Sequence, residues 1–185
     1  YRARLDELPL LEQPSQAAIT IDKSVYNFIP CNVIPHLIPN ATVIYRRRNP
    51  LDNILSMLRA RMVAPQNYCS DVVDAAEVII AQEQAMLAFK ERYGERIFTN
   101  NYEQLTQTPE HHIRTLLSWL GWPWDERYLN HHRKDRLIFN ASAIQARNPI
   151  NSRSVQGWRR YADLLEPARQ CLISSGLFDS ADLTA

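Results

Sequence analysis

Residues 41–62, ATVIYRRRNPLDNILSMLRARM, pass from a run rich in β-branched side chains through a basic turn into apolar residues at helical spacing. The pattern predicts strand, loop, helix. Leu51, Ile54, Leu55 and Leu58 fall at i, i+3, i+4 and i+7 and give one apolar face, and Pro50 stands where a first-turn proline belongs. Upstream, residues 1–13 carry Leu5, Leu8 and Leu11 among charges and end at Pro14, which predicts a short surface helix. Residues 17–21 (AAITI) predict a short strand with Lys23 at its tip, and residues 27–39 a helix broken or kinked by Pro30 and Pro35.

Downstream, Ser70 is the expected N-cap of a long helix to about Tyr93, with Val72, Val73, Ala76, Ile79, Ile80, Met86 and Leu87 as its stripe and Gly94 as its stop. Residues 97–101 (IFTNN) read as a strand. Thr108-Pro109-Glu110 opens a helix whose Ile113, Leu116, Leu117 and Leu120 face inward before Gly121. Periodicity lapses over 133–154, as in a long functional loop, and returns in a helix over 158–175 stopped by Gly176. Residues beyond Phe178 read as a frayed end.

The helix after the basic turn would present unpaired N–H groups and its positive dipole end at the strand tip, with Arg48 in the turn, so an anion is the expected ligand there. Composition narrows that ligand. The 185 residues are 45% hydrophobic and 22% charged, an ordinary make-up for one domain with a real core. A net charge of +1 excludes a broad footprint for nucleic acid, so the basic site is local, at Arg46 to Arg48 with Arg59 and Arg61. No apolar run reaches the roughly 18 residues of a membrane span, and no leader pattern is present. Cys31, Cys69 and Cys171 are odd in number and far apart, which fits a reducing, cytoplasmic setting and indicates neither disulfides nor zinc. His111 and His112 are adjacent and face different ways on a helix, and His131 and His132 are no better as a metal pair, so solvated or capping roles are expected. Of the four glycines none precedes Lys-Ser or Lys-Thr, so a phosphate-cradling glycine loop is not in this chain. The start on Tyr1 points to a processed form or to part of something longer.

The spacing Arg48-x-Pro50-x-Asp52-x-x-x-Ser56 resembles the 3′-phosphate site of sulfotransferases that use 3′-phosphoadenosine 5′-phosphosulfate. Other segments are similar to the same family: Asp22-Lys23 with Asn27-Phe28, Pro39-Asn40-Ala41, Tyr102-Glu103-Gln104-Leu105, and LLSWLGWPW ending at Trp124. So are Ser142 to Ile150 (SAIQARNPI), Ser154-Val155 and Trp158-Arg159-Arg160-Tyr161. The resemblance spans about residues 19–172 and lies closest to the tyrosylprotein and TPR-linked bacterial branch. It implies an α/β fold, a P-loop-like parallel sheet flanked by helices, in a single domain over 1–185 that lacks the 5′-phosphosulfate loop at its N-terminal side.

By the same resemblance Arg48 and Ser56 would hold the 3′-phosphate, Tyr102 would meet the adenine region, and the loop with Gln145 and Arg147 would fold over the nucleotide. Lys23 and Ser142 would stabilise charge on the transferred sulfuryl group. Taken singly, each has a plainer reading: a loop lysine, a loop hydroxyl, a core tyrosine. Trp119, Trp122 and Trp124 read as structural. The implied acceptor is a hydroxyl or amine of a small molecule, carbohydrate or peptide, with no metal, nucleic acid or membrane partner. The catalytic base stays unassigned. Two departures stand out: Gly157 replaces a basic residue often found before the tryptophan, and Ala60 replaces an arginine of the tyrosylprotein branch. Two other functions stay open, a nucleotide-binding domain that does not catalyse and a basic-loop module for nucleic acid or acidic protein.

Overall fold

In the computed structural model, which describes residues 19–60, 66–133 and 147–184, the segment around Arg48 is indeed strand, turn and helix. The chain runs through α1 (Ile34–Leu37), β1 (Val43–Arg47), α2 (Pro50–Ala60), α3 (Val72–Tyr93), β2 (Ile97–Asn101), α4 (Tyr102–Gln107), α5 (Pro109–Leu120), α6 (Ala162–Ser175) and α7 (Ser180–Leu183). β1 and β2 pair in parallel, Val43 opposite Ile97 and Arg47 opposite Asn101. A parallel pair needs a crossover, and α2 and α3 supply it. Both strands therefore end on the same side, where Arg48 and Tyr102 follow them directly. The fold is helix-rich α/β, with this parallel pair as the sheet of the described residues.

Two apolar clusters position that edge. One joins α2, α3, α6 and α7 through Leu51, Ile54, Ile79, Leu165, Leu172 and Leu183 around Trp158, which is 1% exposed. Ala75, Ala76 and Ala168 are fully buried within it, and side chains that small let the helices approach closely. The other gathers Met86, Ile97 and Cys31 with Val43, Tyr45 and Phe89, seating one face of β1 on α3. Residues 43, 45 and 47 are half-buried while 44 and 46 are exposed, the two-residue alternation of a strand covered on one side. The second face of β2 is covered by α5, where Phe98 packs at 5.4 Å from Trp119 and 6.2 Å from His112.

Several sequence expectations change here. Residues 19–24 have no regular structure, so the predicted strand over 17–21 is absent across the residues described. A strand needs a neighbour to satisfy its backbone, and Ile21 is 79% exposed with none beside it. Lys23 consequently lies in an exposed irregular segment and not at a strand tip. The kinked helix over 27–39 resolves into a 3-10 turn, Pro30–Asn32, and the single turn α1. Asp71, not Ser70, caps α3: its Oδ1 accepts from Val73 N at 2.7 Å and Asp74 N at 3.1 Å, while Ser70 donates to Asn67 O inside the preceding turn. Thr108 likewise makes no side-chain cap, and Gly121 ends α5 at φ +70°.

The helix predicted from 158 begins as a 3-10 turn, Gly157–Tyr161, and continues as α6 to Gly176 at φ +66°. The frayed end is also overturned: α7 is capped by Asp179 and buries Leu183 to 1% exposure. His112, expected in solvent, is buried at 8% between Phe98 and its own helix. The predicted helix over 1–13 lies outside the described residues.

Candidate functional site

The turn between β1 and α2 is built by Asn49. Its Oδ1 accepts from Leu51 N at 3.0 Å and Asp52 N at 3.1 Å, and its backbone carbonyl takes Asn53 N at 3.0 Å. Pro50 has no N–H to satisfy. The free amides expected at this helix start are thus already used, and an anion cannot be held by them; Asn49 is a better-placed acceptor because it is covalently next to the helix. Asn49 N itself donates to Glu103 Oε1 at 3.0 Å, and Asn49 Nδ2 to Asp182 O at 2.7 Å. The turn is therefore tied to α4 on one side and to α7 on the other.

What the turn does present is arginine. The Arg48 guanidinium lies 4.8 Å from the centroid of the Tyr102 ring, and that of Arg46 lies 5.2 Å from the same ring. Cation–π attraction accounts for the pairing, since the ring face is electron-rich. Arg48 Nη2 donates to Ser154 O at 3.0 Å, and the Tyr102 hydroxyl is 2.7 Å from Ser154 Oγ. Arg48 Nε is buried without a partner. Neither Arg46 nor Arg48 has an ion pair among the described residues, whereas Arg47, pointing to the other face, meets Glu83 at 3.3 Å. Two guanidinium groups on one ring, with Glu103 acting on Arg46 but in no ion pair with it, leave net positive potential and donors to spare, which suits a phosphate.

The loop that supplies Ser154 is fastened by Asp52. This carboxylate, 2% exposed, accepts from Gln156 N at 2.7 Å and from Trp158 N at 2.9 Å. Between them Gln156 holds φ +58°, a left-handed conformation that a side chain disfavours, so the carboxylate and the buried Trp158 must hold the loop there. A Cβ on Gly157 would meet only Asp52 Oδ1 at 3.7 Å, an ordinary contact. Space therefore does not demand the glycine that replaces the expected basic residue.

Below the sheet, Tyr45 Oη donates to Glu83 Oε2 at 2.6 Å, and burial, followed by that bond, pushes the phenol well above its ordinary range. The Tyr45–Glu83–Arg47 group locks α3 to β1 and leaves Arg46 and Arg48 directed to the opposite face.

Of the residues picked from sequence, Arg48 and Tyr102 are brought together. Ser56 is exposed on α2, and its side chain makes no hydrogen bond to another described residue. Arg147 and Lys23 are exposed as well, each in a segment without regular structure. Ser142, Gln145 and Arg61 lie outside the described residues. From sequence, Asp52, Glu103 and Ser154 figured only as members of family-like segments and, as with Asn49, were given no role in the site. The signal for Asp52 was an acid set between the apolar positions Leu51 and Ile54 of α2.

Residues 5–126 match a sulfotransferase family. The chain belongs to that family. A protein of Aquifex aeolicus (strain VF5), described as uncharacterized, is 30% identical over 155 residues, which is 82% of this chain and 20% of that protein. The chain spans about a fifth of that relative's length. The family match includes Lys23, Arg48, Ser56 and Tyr102 and ends before the segment that carries Ser142, Gln145 and Arg147.

Proposed function

We propose that this chain forms the 3′-phosphoadenosine-binding part of an enzyme that moves a sulfuryl group from 3′-phosphoadenosine 5′-phosphosulfate to an acceptor hydroxyl or amine. The observation that carries the proposal is Arg48: it follows a strand at the carboxyl edge of a parallel pair, keeps a buried Nε without a partner, and lies against an aromatic ring. Ligands of open α/β sheets bind at that edge. In this reading Arg48, with Ser56 from α2, takes the 3′-phosphate, Tyr102 lies along the adenine, and Gln145 and Arg147 close over the nucleotide. Lys23 and Ser142 stabilise charge on the sulfuryl oxygens. The bond from sulfur to the phosphate oxygen breaks as the bond from sulfur to the acceptor forms, and the acceptor proton goes to a base this chain leaves unassigned.

Titration calorimetry with adenosine 3′,5′-bisphosphate and adenosine 5′-monophosphate tests the central step. Arg48→Ala should weaken the bisphosphate by at least about tenfold, about 1.4 kcal/mol, and leave the monophosphate nearly unchanged. Equal weakening of both, or of neither, overturns the assignment. Binding of the bisphosphate without transfer of labelled sulfate to any hydroxyl or amine acceptor would favour a nucleotide-binding domain that does not catalyse.

A further inference from the structure

The opposite end of the same strands carries a second basic cleft. A cavity of about 430 Å³ opens between α1 and the end of α3, walled by Pro35 and His36 on one side and Arg92, Tyr93, Glu95 and Arg96 on the other. Its walls are tied together: the Tyr93 hydroxyl is 2.8 Å from His36 Nε2 and 3.4 Å from Asn32 O, and Arg96 Nη1 donates to Pro35 O at 3.4 Å. If Tyr93 donates to the carbonyl, His36 Nε2–H donates to Tyr93, which leaves His36 Nδ1 as a further polar atom. The Arg92 guanidinium lies 5.2 Å from the Tyr93 ring centroid, and the His36 ring meets the Tyr93 ring edge-on at 6.0 Å.

The cleft carries net positive charge, two arginines against one acid. Arg92 and Arg96 make no ion pair among the described residues, and neither does Glu95, the single acid of the wall. Two guanidinium groups offer planar donor forks for a tetrahedral oxyanion, and the Tyr93 ring beside Pro35 offers a flat apolar wall. A volume of about 430 Å³ exceeds what a bare ion needs and falls within the range of small-molecule sites. The geometry points to a second ligand site here, for a small organic phosphate ester whose phosphate meets Arg92 and Arg96 and whose ring lies on Tyr93.

This site is separate from the first. From Arg96 to Tyr102 the chain advances six residues through β2, about 20 Å at roughly 3.3 Å per residue, so no one small ligand reaches both. The cleft instead joins residues 30–38 to α3, and a bound ester bridges two elements that also meet through Cys31, Ile34 and a few polar bonds.

Phenyl phosphate is the probe, followed by calorimetry and by chemical-shift changes at residues 34–37 and 92–96, with inorganic phosphate in parallel. Phenyl phosphate should bind at least several-fold more tightly than inorganic phosphate, and the shifts should fall on both α1 and the end of α3. The pair Arg92→Gln and Arg96→Gln should remove this binding, Glu95→Gln should tighten it a few-fold, and Arg48→Ala should leave it unchanged. Tm values of the variants report that each is folded. Binding that survives the paired substitution, that disappears with Arg48→Ala, or that is not seen in the parent protein overturns the site.

Discussion

Asp52 shows how one buried carboxylate can shape the surroundings of Arg48 and Tyr102 without touching either side chain. Its two oxygens hold two backbone N–H groups, Gln156 and Trp158, and the same loop gives Arg48 its carbonyl partner and Tyr102 its hydroxyl partner at Ser154. Asp52→Asn keeps the size but leaves one oxygen, so one N–H would face an amide NH₂ group. That should destabilise the fold by about 2–3 kcal/mol, the cost of losing a charged hydrogen bond in a buried place. It should also weaken adenosine 3′,5′-bisphosphate through a looser Ser154. Urea unfolding checks the first effect and calorimetry on the folded variant the second; unchanged stability would show that the carboxylate is not holding the loop. At this scale Arg48 was picked from its basic turn and Tyr102 through the family resemblance, and the structure sets the two side by side. The bonds of Asp52 could not be read, because its partners lie 104 and 106 positions away and no local pattern connects them.

At the scale of elements the sequence was most informative where periodicity and punctuation agreed. β2 spans residues 97–101 as expected, and α5 runs from the proline to the residue before Gly121. Where a boundary depended on which of two polar neighbours caps, Ser70 or Asp71, the oxygen able to reach two amides won. The packing of α5 on β2 could not be read at all, since His112 looks the same to a pattern whether it faces water or Phe98. Burial, with smaller contributions from His111 and Arg46, holds its imidazole below the usual histidine range, and its Nε2 is buried without a partner. The folded protein therefore holds His112 neutral to lower pH than the unfolded chain, which takes up the proton from about pH 6.5 downward. The stability this residue allows is complete above that pH and declines as the solution is acidified. His112→Phe, which keeps a ring against Phe98 and Trp119, should flatten the decline between pH 7.5 and 5.5. Denaturation curves at the two pH values decide it, and an equal slope in parent and variant would place the titrating group elsewhere.

For the whole molecule, the chain's last helix is a structural tie and not a tail. α7 carries Leu183 into the cluster around Trp158, and Asp182 O accepts from the Asn49 side chain that caps α2, so residues near the C-terminal end help fix the turn holding Arg48. Nothing in residues 179–184 announces this, because four helical residues with one leucine carry too little periodicity to separate from a frayed end. Ending the chain after Phe178 should cost about 2–4 kcal/mol: a buried leucine at about 2 kcal/mol and the net value of one hydrogen bond at about 1. Leu183→Ala alone should account for most of the loss if packing dominates. The Asn49 bond would then remain and bisphosphate affinity would be near that of the parent protein, whereas the shortened chain should lose both stability and affinity. Urea midpoints and calorimetry on the two variants separate the terms. A shortened chain with parent stability would mean that α7 is not packed on this core in solution.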